Sequence, residues 1–375
     1  MTTGLISRVI ASLALVGAAF APLNPAFADS LQSEFDRAFT APAAASGPRA
    51  QARPQFQAPV KVQPRLQPST ESAQRALPPS VRQYVAAPRP SSYASPLDAQ
   101  IFALADSSSG RIGVAAIDLS TGRLVTVLGD TPFPMASTSK IAIAATFLDA
   151  ADHGRLSLTA SYPLMVPVKS RKYSTLVAPV RAGAMLTGQQ LIERSLIHSD
   201  NQATDALLAA VGGPPAVNRW LRGSGVAGLR LDRDIATLVR DDGEYDPARM
   251  IDQRDSATPK AMAQFLSGLY QGRWLTPNSR AFLLATMEQC VTGKRRMRSQ
   301  LPGDARIAHK TGTLSNTSSD VGLIQTADGR VYAVAIYVTG QGGHVGRDAK
   351  IAEIARTLYD GYQDDNGGYR VAVQH

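Results

Sequence analysis

Three short groups of residues hold side chains able to do nucleophilic or acid–base chemistry. The first is "FPMASTSKIAIAAT", residues 133 to 146, where Ser137 stands three positions ahead of Lys140 as a polar stretch turns apolar. Three residues apart on a helix, two side chains share a face. A lysine desolvated there gives up its proton and becomes a base for the hydroxyl. Alone, the pair reads first as a helix N-cap followed by an ordinary lysine. The second group is Ser199-Asp200-Asn201, which also reads as a polar loop capping the apolar run "QATDALLAAV". The third is Lys310-Thr311-Gly312-Thr313 inside a strand pattern. Glycine weakens a strand but lets another backbone or a ligand approach closely.

Each group needs an element to hold it. Ser95-Pro96 starts a helix, with Leu97, Ile101 and Leu104 on one face. "RIGVAAIDL" (111–119) and "RLVTVLG" (123–129) flank the turn "STG" and predict a β-hairpin. A helical region opens at Ser137, continues through the capping box Thr187–Gln190 and restarts at Thr258-Pro259 and Thr276-Pro277. Strand patterns return in "RIAHKTGT" (306–313), "DVGLIQT" (320–326) and "VYAVAIYVT" (331–339), and a last helix is expected at about 345–361. The fold class is therefore α+β, layered αβα. One antiparallel sheet is built from both ends of the chain and flanked by N- and C-terminal helices, with an all-helical lobe inserted at about 137–290. Catalysis at that seam is the default expectation.

Composition narrows the function. The 375 residues carry a net charge of +9, but residues 41–96 hold Arg49, Arg53, Lys61, Arg65, Arg75, Arg82 and Arg89 against Glu71 alone, so the remainder is near neutral. That argues against a nucleic-acid-binding core. The same stretch has eleven of the 24 prolines and no helical period, and 29–96 is expected to be a disordered basic linker. A tail, 363–375, is expected to be disordered as well. Arg8, the apolar run Val9 to Phe20 and Ala26-Phe27-Ala28 read as a signal peptide, 1–28. The run is short against the roughly 20 residues a membrane span needs, so export with cleavage to the periplasm or outside is expected, with no transmembrane segment in the mature chain. The single cysteine, Cys290, excludes an intrachain disulfide. His153, His198, His309, His344 and His375 show no metal-ligand spacing. No metal site or cofactor is expected.

Singly these signals are weak; together, in order, they are specific. S-x-x-K at a helix start, S-D-N between helices and K-T-G on a strand form the set shared by serine β-lactamases and penicillin-binding proteins. From about 97 to 362 the chain resembles the class A β-lactamases, and "RLDR", "RDSATPKAMA" and "TGKRRMRSQLPGDARIAHKTGT" also look like family segments in family order. The resemblance implies Ser137 as the acylated nucleophile and Lys140 as its base or proton relay. It implies Ser199 as proton donor to the leaving nitrogen, Asn201 as a ligand of the acylamide side chain, and Lys310, Thr311 and Thr313 as carboxylate and side-chain ligands. Backbone N–H groups of Ser137 and Thr313 would form the oxyanion hole. Lys140 and Lys310 should each disfavour the other's charge.

The pattern breaks at one place. The family's deacylating glutamate stands two residues after the arginine of "LDR", with an asparagine four further on, and here those positions are Ile235 and Val239. Between Arg233 and Asp255, the expected neck of the Ω-loop, several residues are extra, among them Glu244, which reads as a solvated acid rather than a substitute base. A lost general base costs about 10²–10⁴ in rate, so acylation is expected to outlive efficient deacylation. Tyr173 reads as a surface tyrosine ahead of an aromatic cleft wall, and Lys294-Arg295-Arg296 as a solvated corner. Three functions follow: a slow serine β-lactamase, a D-Ala-D-Ala-type peptidase or amide hydrolase, or a non-catalytic penicilloyl-binding wall protein. A monomer is expected, with envelope contact through 41–96.

Overall fold

The computed structural model describes residues 77–86, 88–106 and 109–371. The signal peptide 1–28 and most of the expected linker lie outside them. In chain order the elements are β1 (Val81–Gln83), α1 (Pro96–Ala105), β2 (Ile112–Asp118), β3 (Leu124–Val127), β4 (Phe133–Pro134), α2 (Lys140–Asp152), β5 (Ser161–Pro167) and β6 (Val180–Thr187). There follow α3 (Gly188–Ile197), α4 (Asn201–Val211), α5 (Gly213–Gly223), β7 (Leu229–Arg230), α6 (Ile235–Arg240), β8 (Met250–Asp252) and β9 (Ser256–Ala257). Last come α7 (Pro259–Tyr270), α8 (Pro277–Glu288), β10 (Arg306–Leu314), β11 (Thr317–Gln325), β12 (Val331–Thr339) and α9 (His344–Val371).

The sheet runs β10-β11-β12-β2-β3, antiparallel throughout. Alternation sends its side chains to two separate cores. Val114, Ala116, Ile324, Val334 and Ile336 pack under α1 and α9, while Ala115, Leu323, Ala333, Ala335 and Tyr337 join the core of the helical lobe. A sheet covered on both faces explains why β12 is buried along its whole length. The helix starts follow the chemistry expected of them. Ser95 caps α1, Thr187 and Gln190 form a capping box on α3, and Thr258 and Thr276 cap α7 and α8 with proline next.

Three expectations need correcting. The lobe also contains the hairpin β5–β6, joined in antiparallel register. The backbone of the last helix runs to Val371 instead of ending near 361. Within the expected linker, Val81–Gln83 forms β1 and pairs with β8 in the Ω-loop. Its position depends on Arg111, a buried cation that donates to the carbonyls of Pro247 (2.9 Å), Pro132 (3.0 Å) and Met250 (3.2 Å) and lies over the rings of Phe133 and Tyr84. A local pattern of three residues carries no strand signal; the partner strand creates it.

Candidate active site

Ser137 sits in a single 3-10 turn, Ala136–Ser139, that runs into α2. Its hydroxyl does not cap the helix: the turn is held by Thr138 and Ser139, whose hydroxyls donate to the carbonyls of Met135 (2.7 Å) and Ala136 (2.8 Å). Ala136 takes φ +49°, a left-handed conformation that costs a residue with a Cβ roughly 1–2 kcal/mol. The Ser137 side chain stays partly exposed while Ala136, Thr138, Ser139 and Lys140 are buried. A strained turn offering one hydroxyl to a cleft is the shape a nucleophile needs.

Lys140, one turn on, is fully buried. Its Nζ donates to the Ser199 carbonyl (2.6 Å) and to Asn201 Oδ1 (2.7 Å), and meets Ser199 Oγ at 3.1 Å. Two partners are obligate acceptors; the third is a hydroxyl that can donate or accept. That set suits Nζ as ammonium and as neutral amine. Burial and the charge of Lys310 push its pKa well below the ordinary lysine value. Ser199 is itself held at φ +59°, just ahead of α4, whose N-terminus Asp200 caps through the N–H groups of Gln202 and Ala203.

The third group lies on β10, against the nucleophile's turn. A Cβ built at Gly312 would come within 2.7 Å of the Met135 carbonyl and 3.0 Å of the Ala136 Cβ, so only glycine lets the strand approach this closely. Lys310 is buried, its pKa lowered by burial, and it donates to the Thr311 carbonyl at 3.0 Å. Thr311 Oγ1 meets Thr292 Oγ1 at 2.6 Å. Thr313 Oγ1 accepts from Arg296 at 2.7 Å. Arg296 is no solvated corner: it is buried, pairs with Asp348 at 2.7 Å and donates to the carbonyls of Gly312 and Ser319. Nothing in a run of three basic residues tells which of them folds inward. His309 turns away from the cleft into a buried pair with Asp320 at 2.8 Å, and that pair raises its pKa against the opposing effect of burial.

The Ω-loop neck closes as expected, with Arg233 Nε 2.6 Å from Asp255 Oδ2. A small sheet, β4-β9-β7, fastens it beside Ser137. Inside, the Ile235 side chain is buried in the lobe core and Val239 packs against that core. Glu244 is exposed and paired with Arg254 at 2.8 Å. Tyr173, 53% exposed, donates its hydroxyl to the Asp241 carbonyl. Sequence reasoning does not single out Asp205, four residues beyond Asn201 on α4. Its carboxylate accepts the N–H groups of Ile235 (2.7 Å) and Ala236 (2.9 Å), and burial raises its pKa to about 7. The i, i+4 spacing from Asn201 was the available signal.

A partly exposed serine, a buried lysine one turn away and a lysine-bearing strand at a sheet–lobe seam define an active-site serine hydrolase. Residues 96–362 match the family described as the β-lactamase enzyme family. Among curated relatives, β-lactamase CTX-M-6 of Salmonella typhimurium is 31% identical over 66% of this chain and 82% of its own length. β-Lactamase CTX-M-8 of Citrobacter amalonaticus is 32% identical over 72% of this chain and 91% of its own. Among solved structures, an ancestral class A β-lactamase superposes with a TM-score of 0.61 at 36% identity, covering 71% of this chain and 99% of that one. A β-lactamase from Chitinophaga pinensis gives 0.63 at 27% identity, over 72% and 100%. The chain belongs to the class A serine β-lactamase family.

Proposed function

We propose that this is an exported serine hydrolase that is acylated on Ser137 by β-lactams and releases the acyl group slowly. The carrying observation is the fully buried Lys140 amine bonded to Ser199 and Asn201 one turn from a partly exposed serine. In the proposed first step, neutral Lys140 takes the proton of Ser137 Oγ as that oxygen bonds the lactam carbonyl carbon. Backbone N–H groups of Ser137 and Thr313 receive the oxyanion. As the carbon–nitrogen bond breaks, Ser199 passes a proton to the nitrogen and is reprotonated from Lys140. Asn201 holds the acylamide, while Lys310, Thr311 and Thr313 take the substrate carboxylate.

Slow release follows from Ile235 and Val239, apolar residues at the two positions where the family resemblance puts the base and its water-holding partner. The same observation favours a second reading, a peptidase or amide hydrolase acting on peptidoglycan-like D-amino-acid peptides. A basic tether at 41–76 would keep the enzyme at anionic envelope polymers. Incubating the protein with a penicillin while following intact mass and turnover tests the reading. A persistent adduct on Ser137, absent from Ser137→Ala, is expected. Fast multiple turnover would overturn slow release, and no adduct would leave the non-catalytic binding protein.

A further inference from the structure

Large apolar side chains are mostly hidden in this protein, and those left outside are unevenly spread. Thirteen are exposed among the described residues, and six of these fall between 168 and 185: Val168, Tyr173, Leu176, Val177, Val180 and Met185. Such clustering marks a surface that meets a partner.

Two features hold these side chains outward. In the β5–β6 hairpin, Tyr162, Leu164 and Leu186 join the lobe core, and the opposite face presents the cross-strand pairs Pro163–Met185 and Pro167–Val180. An antiparallel sheet with one face in water ordinarily puts polar residues there. Between the strands, the loop is pinned on either side of its tip. Arg240 donates to the Thr175 hydroxyl and carbonyl, each at 2.7 Å, and the buried Ala178 N–H donates to the Thr237 hydroxyl at 2.8 Å. Leu176, 94% exposed, and Val177, 57% exposed, stand between those anchors.

The charge around them has one sign. No aspartate or glutamate occurs from 153 to 192, while Lys169, Arg171, Lys172 and Arg181 are all exposed. The two acids that the loop touches are engaged elsewhere: Asp241 pairs with Arg240 at 2.7 Å, and Asp242 accepts the Ser315 N–H at 2.7 Å.

We propose that this apolar, basic tip docks on the surface of an anionic phospholipid bilayer. Leu176 and Val177 enter the headgroup boundary, and the four cations meet lipid phosphates. A wall polymer would match the charge but offers no apolar interior to Leu176. A second copy of the face would set cation against cation. The loop leans on the Ω-loop through the Tyr173 hydroxyl and the Asp241 carbonyl, so docking brings the cleft close to the membrane. Docking of this kind does not depend on acylation of Ser137.

The test is sedimentation of the full exported chain with vesicles of mixed phosphatidylglycerol and phosphatidylcholine, and with phosphatidylcholine alone. Binding to the mixed vesicles is expected, at least about tenfold tighter than to the neutral ones. Leu176→Asp combined with Val177→Asp should weaken it at least about tenfold, and Leu176→Ile should leave it unchanged. The tether's own charge also attracts anionic vesicles, so Leu176→Trp supplies a readout at the tip. With the wild-type signal of Trp220 and Trp274 subtracted, its fluorescence should shift to the blue on the mixed vesicles. An unshifted tryptophan, equal binding to both vesicles, or binding that the aspartates do not weaken overturns the proposal. Sedimentation with neither vesicle overturns it as well, and loss of cell-wall sedimentation in the aspartate variant would then assign the tip to a wall polymer. Should the double variant fail to fold by circular dichroism, the tryptophan shift decides alone.

Discussion

Ile235 concentrates the chemical question in one side chain. It is buried in the lobe core, and its own N–H and that of Ala236 are both held by Asp205. Restoring a carboxylate there sets a second acid against one that burial already disfavours. Ile235→Glu is expected to raise steady-state penicillin hydrolysis less than about tenfold, against the 10²–10⁴ a general base normally supplies, and to lower the melting temperature. Adding Asp205→Asn removes the like-charge conflict and should recover part of the lost melting temperature. A gain of 10² or more from Ile235→Glu alone would show that the loop still seats a water correctly.

At the scale of elements, the unexpected contact is β1 on the Ω-loop. Beyond the three-residue register, Gln253 N–H donates to the Ser80 carbonyl and Tyr84 N–H to the Arg249 carbonyl. Starting the chain at residue 88 removes these bonds and the Tyr84 ring over Arg111. Amide exchange at 250–253 is then expected to accelerate at least tenfold, with exchange in the central sheet unchanged. Unchanged exchange at 250–253 would mean that the loop is held by its neck alone. The sheet, the capped helices and the three chemical motifs were legible because each is encoded within about ten residues, by alternation, capping or turn chemistry. β1, the β5–β6 hairpin, the inward turn of Arg296 and the partnership of Asp205 with Ile235 were not. Each depends on a partner far along the chain, and a burial that only the assembled fold creates.

For the molecule as a whole, the boundary of the proposed tether moves from the first expectation. β1 belongs to the folded body, so the tether proposed for envelope contact shortens to 41–76. It keeps Arg49, Arg53, Lys61, Arg65 and Arg75 against Glu71. Deleting 41–76 should weaken sedimentation with purified cell walls and remove its salt dependence while leaving penicillin acylation intact. Unaltered, salt-insensitive sedimentation would rule the tether out as the binding element.

The order of strands in the sheet also carries a consequence for biogenesis. β2, early among the described residues, finds its inner neighbour only in β12, beside contacts such as Arg111 to Thr339, 228 residues apart. Ser137 lies early in the chain and Lys310 late, and the surface on which they meet is closed by the last strand and last helix. A chain without β10 to β12 holds Ser137 without the strand that carries Lys310, so the acylation proposed for Ser137 requires those strands to have paired first.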